Sequence, residues 1–118
     1  MSARSTDEAL KAALDPLFPG AAWPDRYPGE ALIYVTWNHW TVPEVYANGL
    51  PAAARHPTQV HLFLPFGVDP EAYLLQVPLA LHGEGFTWPG VTNASDAEGQ
   101  HWVFECEYVN GGAVYGQL

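Results

Sequence analysis

The ten residues ALIYVTWNHW, positions 31–40, carry β-branched and aromatic side chains on both alternating sets of positions. That pattern marks a strand covered on both sides, so the segment is predicted to be a central strand. A second strand is expected over residues 59–66, QVHLFLPF, with Pro65 at its end or on an edge because proline cannot donate to a ladder. Over residues 100–109, Trp102, Phe104, Cys106 and Tyr108 share one face of a strand. His101, Val103, Glu105, Glu107 and Val109 share the other, a half-polar alternation suited to solvent or an interface. Residues 86–88, Phe-Thr-Trp, read as a fourth, short strand.

Two helices flank these strands. Ser5-Thr6-Asp7-Glu8 is a capping box, and Ala9, Leu10, Ala13, Leu14 and Leu17 come after it at helical spacing, ending between Asp15 and Phe18. Residues 19–30 form a proline- and glycine-rich connector in which Trp23 and Tyr27 are expected to pin the helix to the next element of the chain. The second helix takes Asp69 as N-cap, Pro70 at its first helical position, an apolar stripe of Tyr73, Leu74, Val77 and Leu81, and Gly83 or Gly85 as terminator. Pro78 interrupts that stripe at a cost of ~3 kcal/mol or more, which predicts a kink. Residues 41–57, with prolines at 43, 51 and 57 and an Asn48-Gly49 turn, are read as a long functional or mobile loop. The order helix, strand, strand, helix, strand, strand predicts an α+β fold, helices packed on a mainly antiparallel sheet of about four strands. Residues 1–118 make one domain, with 111–118 a flexible or docking tail.

Composition narrows function. Of the 118 residues, 48% are hydrophobic and 14% aromatic, enough to fill a core. Four Lys and Arg stand against 13 Asp and Glu, a formal charge of -9, which opposes specific binding to a nucleic-acid backbone. The single cysteine, Cys106, provides no internal disulfide and no cysteine-based zinc cluster. No run of about 18 apolar residues occurs, so a soluble chain with no membrane partner is expected.

Candidate chemistry is sparse. Five histidines, at 39, 56, 61, 82 and 101, suggest a metal, and His61 and His101 lie on strands that could pair, with Glu105 on the face of His101. Their spacing matches no ligand motif, so they are read as solvent-facing or hydrogen-bonded and no metal or cofactor is assigned. Ser2, Ser5 and Ser95 sit in termini, caps or loops outside any nucleophile elbow, and Cys106 falls on an apolar face where a thiol acts as a small hydrophobe. Glu105 and Glu107 lie about 7 Å apart on one strand face, a separation available to a glycosidase pair but more usual for a solvated or interface edge. No catalytic residue is therefore assigned. Five tryptophans in so small a chain with few charges instead suggest a large interface, unless Trp23, Trp37 and Trp88 simply thicken the core.

From residue 30 to 109 the order of blocks resembles the tail terminator, or tail completion, minor tail proteins of long-tailed bacteriophages. The blocks are ALIYVTWNHWTVPEVYANGL, a variable loop leading to HPTQVHLFLPFG, a helix closing in HGEGFTW, the acidic loop NASDAEGQ, and HWVFECEYV. Pro78 and Asn48, the latter at a turn where such proteins often carry an acid, depart from the pattern. The resemblance implies a structural virion protein without an active site, assembled in the host cytoplasm and placed at the head-proximal end of the tail. Its copies would form a homo-hexameric ring that caps the tail tube protein, stops tube growth and docks the head–tail connector protein. Trp37, Trp40, Pro43, Tyr46 and Asn48 are then the expected contact residues, with the loop 93–99 and the strand-edge acids Glu105 and Glu107. An acidic lumen would repel a passing genome. The alternatives are another neck or connector ring protein, and a small ligand-binding module or enzyme subunit with an aromatic pocket anchored by Glu105 or His101.

Overall fold

The capping box is formed as the sequence requires. In the computed structural model, which describes residues 4–45 and 51–109, α1 (Thr6–Leu14) starts at Ser5, whose hydroxyl accepts from the Glu8 amide while the Glu8 carboxylate accepts from the Ser5 amide. Ala9, Leu10, Ala13 and Leu14 form its buried stripe. The chain continues through β1 (Ala22–Pro24), β2 (Tyr34–His39), β3 (Val42–Val45), β4 (Pro51–Arg55), β5 (Pro57–Leu64), α2 (Glu71–Gly83), β6 (Gly90–Asn93) and β7 (Gln100–Glu107).

Five strands form one mixed sheet in the order β1-β2-β5-β7-β6, in which β1 lies parallel to β2 and the other pairs are antiparallel. The register sets Val35 opposite Leu62, Trp37 opposite Val60, and Val60 opposite Phe104. Cross-strand partners share a face, so these residues form one apolar layer. The buried side chains of α1 and Val77 and Leu81 of α2 complete the core over that layer. The opposite face carries Thr36, Asn38, Gln59, His61, Phe63, His101, Val103 and Glu105, and neither helix places its buried stripe there.

The predicted α+β class holds, but the strand inventory is larger than the four expected: seven strands among the described residues. Residues 41–57, read as a loop, contain the hairpin β3–β4 and the start of β5. Prolines 43 and 51 signalled a loop because proline removes a ladder donor; in a sheet of only two strands every strand has an open edge, where proline is tolerated. The connector contains β1, short enough to escape any periodicity. Tyr27 stacks on Tyr34 of the sheet rather than pinning α1, and Trp23 is 42% exposed, its indole N–H donating to the Gly20 carbonyl. Phe86 makes one isolated bridge to Tyr108, and the pairing strand lies further on at β6.

The second helix runs through Pro78, which is buried; its N-cap is Pro70 rather than Asp69, whose carboxylate accepts from the Glu71 amide from one position further out. Its end answers the choice between two glycines. Gly85 adopts φ +104°, the Phe86 amide donates to Leu81 and the Gly85 amide to His82, a Schellman closure that needs a residue tolerant of positive φ. Phe86 and Leu81 are both buried, supplying the apolar contact that accompanies this closure.

Phe104, fully buried at the centre of the apolar layer, should cost about 3–5 kcal/mol when replaced by Ala in urea unfolding. Leu79→Ala, on the exposed outer side of α2, should change stability by no more than about 0.5 kcal/mol.

Candidate interaction surfaces

Trp37 and Trp40, three residues apart, go to different places. Trp37 sits on the core face of β2 and is 1% exposed, so its assignment to a contact surface is corrected: the alternation of β2 turns it inward. Its indole N–H donates to Asp7 Oδ1 at 2.9 Å, and His39 Nε2 lies 2.9 Å from the same oxygen, tying the first turn of α1 to β2. Partial burial pushes the Asp7 carboxyl up, but the hydrogen bonds from Trp37 and His39 outweigh it and hold the group below its ordinary value.

Trp40 lies just beyond β2, is 46% exposed, and its amide donates to the Pro57 carbonyl. It lines an open cavity of about 370 Å³ together with Arg55, Glu105 and Glu107. Three of the expected contact side chains are thus brought together where the hairpin meets β7. Pro43 lies exposed on β3, while Tyr46 and Asn48 fall outside the described residues. Glu105 and Glu107 share a face, but Arg55 is ion-paired with Glu107, so the two acids are not an equivalent carboxylate pair. Burial pushes the neighbouring Cys106 thiol up to about 12, leaving it protonated and unreactive near neutral pH.

The uncovered sheet face holds a ladder of rings that the sequence did not reveal as a unit. Tyr27 stacks on Tyr34, Tyr34 on Phe63 and Phe63 on His101, with centroid separations of 4.8, 4.8 and 4.4 Å. Beside it, His61 Nδ1 lies 2.9 Å from His101 Nε2, and His61 Nε2 lies 2.8 Å from Asn38 Oδ1. The Asn38 amide group in turn donates to Gln59 Oε1 at 3.3 Å. Burial lowers the proton affinity of both imidazoles; the neighbouring His101 lowers that of His61 further, while Glu105 and Asp96 oppose the shifts at His61 and His101 respectively. Tyr34, Phe63 and His101 also line a second cavity, of about 320 Å³, with Asp96 and Glu98 on its acidic side.

On the far side of the sheet, α2 leaves Leu75 and Leu79, one turn apart, 57% and 53% exposed. Trp23, Trp40 and Trp88 are exposed as well, so three of the five tryptophans lie at the surface rather than thickening the core.

No family model matches the chain, and no curated protein shows significant similarity to it. Among the described residues no group of three or more His, Cys, Asp or Glu side chains is gathered as a metal cluster, and no helix is long and apolar enough to cross a membrane.

Asp7→Ala should leave the buried Trp37 indole without its acceptor and cost about 1–3 kcal/mol. Because the folded-state value of Asp7 is depressed, its contribution is present above the ordinary carboxylate range and is lost as pH falls through the folded value. The variant should therefore lose less stability than the parent in chemical denaturation as pH falls below the ordinary carboxylate range.

Proposed function

We propose that this chain is a structural ring protein of a bacteriophage tail, a tail terminator whose copies cap the tail tube and present a docking face to the head connector. The observation that carries the reading is the presence of two different adhesive surfaces on opposite sides of one sheet. One is the outer side of α2 with Leu75 and Leu79; the other is the ring ladder, with the Trp40 cavity at the hairpin end of the same sheet. A closed ring with head-to-tail contacts needs two unlike patches on each protomer, whereas a two-fold dimer needs only one. The apolar side chains left at the surface, including three tryptophans, are the kind enriched at interface centres.

The block order of the sequence supports the same role, and the charge of -9 suits a lumen that lets nucleic acid pass without holding it. That charge also opposes assembly, so ring formation is favoured as salt screens it. The reading gives the protein no catalytic function, and makes its partners further copies of itself, the tail tube protein and the head–tail connector in the virion.

A second reading is favoured by one feature, the cavity of about 320 Å³ walled by Tyr34, Phe63 and His101, which would suit the flat face of a sugar.

Native mass spectrometry across protein concentration and ionic strength, with and without purified tail tube, separates the two. A discrete hexamer, lost in Leu79→Glu and unable to engage tube when Trp40 is replaced by Ala, is the expected result. A monomer under every condition, tube included, would sink the ring; saturable oligosaccharide binding by that monomer would establish the ligand-binding role instead.

A further inference from the structure

The cavity of about 320 Å³ on the uncovered sheet face has two walls of different chemistry. One is aromatic, the cross-strand stack of Tyr34, Phe63 and His101. The other is anionic, formed by Asp96 and Glu98 in the turn between β6 and β7. Both acids are exposed, and among the described residues neither has a cationic partner. Arg4, Lys11 and Arg55 are paired with Glu84, Asp15 and Glu107. The fourth basic residue, Arg26, follows β1, three interstrand steps of about 4.8 Å from β7 and so out of reach of the pair.

The walls are held in place by the fold. The Gln100 side-chain nitrogen donates to the carbonyls of Pro65 and Val68 at 2.9 and 2.7 Å, and its oxygen accepts from the Trp102 indole at 3.2 Å, clamping the chain after β5 to β7. Gly99 lies so close to β5 that a Cβ there would stand 3.1 Å from the Leu64 carbonyl oxygen. Asp96 Oδ1 accepts from the Glu98 amide at 2.8 Å, which orients the carboxylate and leaves Oδ2 for a ligand.

We infer that this cavity is a binding site for an arginine side chain presented by a protein partner. A guanidinium is planar, weakly hydrated and able to stack on aromatic rings, while its N–H groups make charge-assisted hydrogen bonds to carboxylates. Its apolar stem suits the exposed Leu32 and the neighbouring Pro65 at the cavity wall. The compact, strongly hydrated ammonium of lysine gains less from the aromatic side. A neutral sugar could use the rings but would gain no charge pairing from the two acids. The formal charge of -9 draws a cationic segment toward the chain. A protein source fits better than free arginine, whose own carboxylate would face the same acids. A single chain contains the whole site, so binding needs no ring.

The test is an NMR titration of the full-length chain with acetyl-Gly-Arg-Gly-amide, its citrulline counterpart, free arginine and maltotriose. The arginine tripeptide should move the resonances of Phe63, Gly99 and His101 saturably, with a Kd of about 1 mM. Citrulline has nearly the same shape without the charge, and its tripeptide should bind at least about tenfold more weakly. Free arginine should also bind more weakly than the blocked tripeptide. Asp96→Asn with Glu98→Gln should abolish the preference for arginine over citrulline, whereas Asp15→Asn with Glu71→Gln, which removes two charges elsewhere, should preserve it. The arginine and citrulline comparison uses the parent chain, so it stands however the variants fold. Equal binding of the two tripeptides, no saturable shift at about 20 mM arginine tripeptide, or shifts of these resonances by maltotriose alone would overturn the site. Tighter binding of free arginine than of the tripeptide would assign the cavity to a small molecule and overturn the protein source.

Discussion

The alignment of β5 between β2 and β7 is the constraint on which the rest of the molecule depends. With Val60 between Trp37 and Phe104, the large apolar side chains of three strands meet in one layer, and the two helices have a surface to cover. A slip of one residue would exchange the faces of β5, bringing His61 and Phe63 under the helices and exposing Val60 and Leu62. Burying an imidazole without partners while exposing two branched aliphatic side chains is unfavourable on both counts. The Asp7 bond to the Trp37 indole reinforces the arrangement by tying the helix that covers the layer to the strand that anchors it.

The same register creates the outer face as a by-product. Tyr34, Phe63 and His101 belong to three different strands, and they stack because cross-strand partners on one face stand close enough for ring contact. Asn38, Gln59 and His61 form a hydrogen-bonded set on that face for the same reason. The core and the outer surface are therefore not independent designs: fixing Trp37, Val60 and Phe104 inward determines which side chains are offered outward. With α2 also presenting leucines to solvent, the molecule carries apolar material on both sides of its sheet, and this two-sidedness underlies the proposed assembly into a ring.

The hairpin β3–β4 belongs to a different energetic regime. Among the described residues it pairs only with itself, and a two-stranded ribbon is marginal in isolation. The Arg55–Glu107 ion pair, the Trp40 amide bond to Pro57 and the cavity at its base attach it to the end of the main sheet.

Local chemistry makes much of the fold legible in the sequence alone. Ser5 and Glu8 specify the start of α1 because both capping partners lie within one turn, and the alternation through residues 57–64 and 100–107 marks two strands and their apolar faces. The acidic balance and the solitary, inward-facing Cys106 are equally readable. Trp37 is a surface candidate only through the resemblance; its strand has large side chains on both faces, and nothing local says which face meets the helices. The hairpin is hidden by prolines that are forbidden in a sheet interior but harmless at an edge, and edge position is a property of the assembled sheet. His61 and His101 can be assigned to strands, but their 2.9 Å approach, and the Asn38 bond that orients one of them, exist through registers between residues 21 to 40 positions apart. Sequence determined the two helices and the long strands with their alternating faces, since those depend on neighbours in the chain; tertiary structure decided the short strands β1 and β6 and the hairpin, which faces meet and which side chains share the outer surface, because pairing is set by the packing of the whole core.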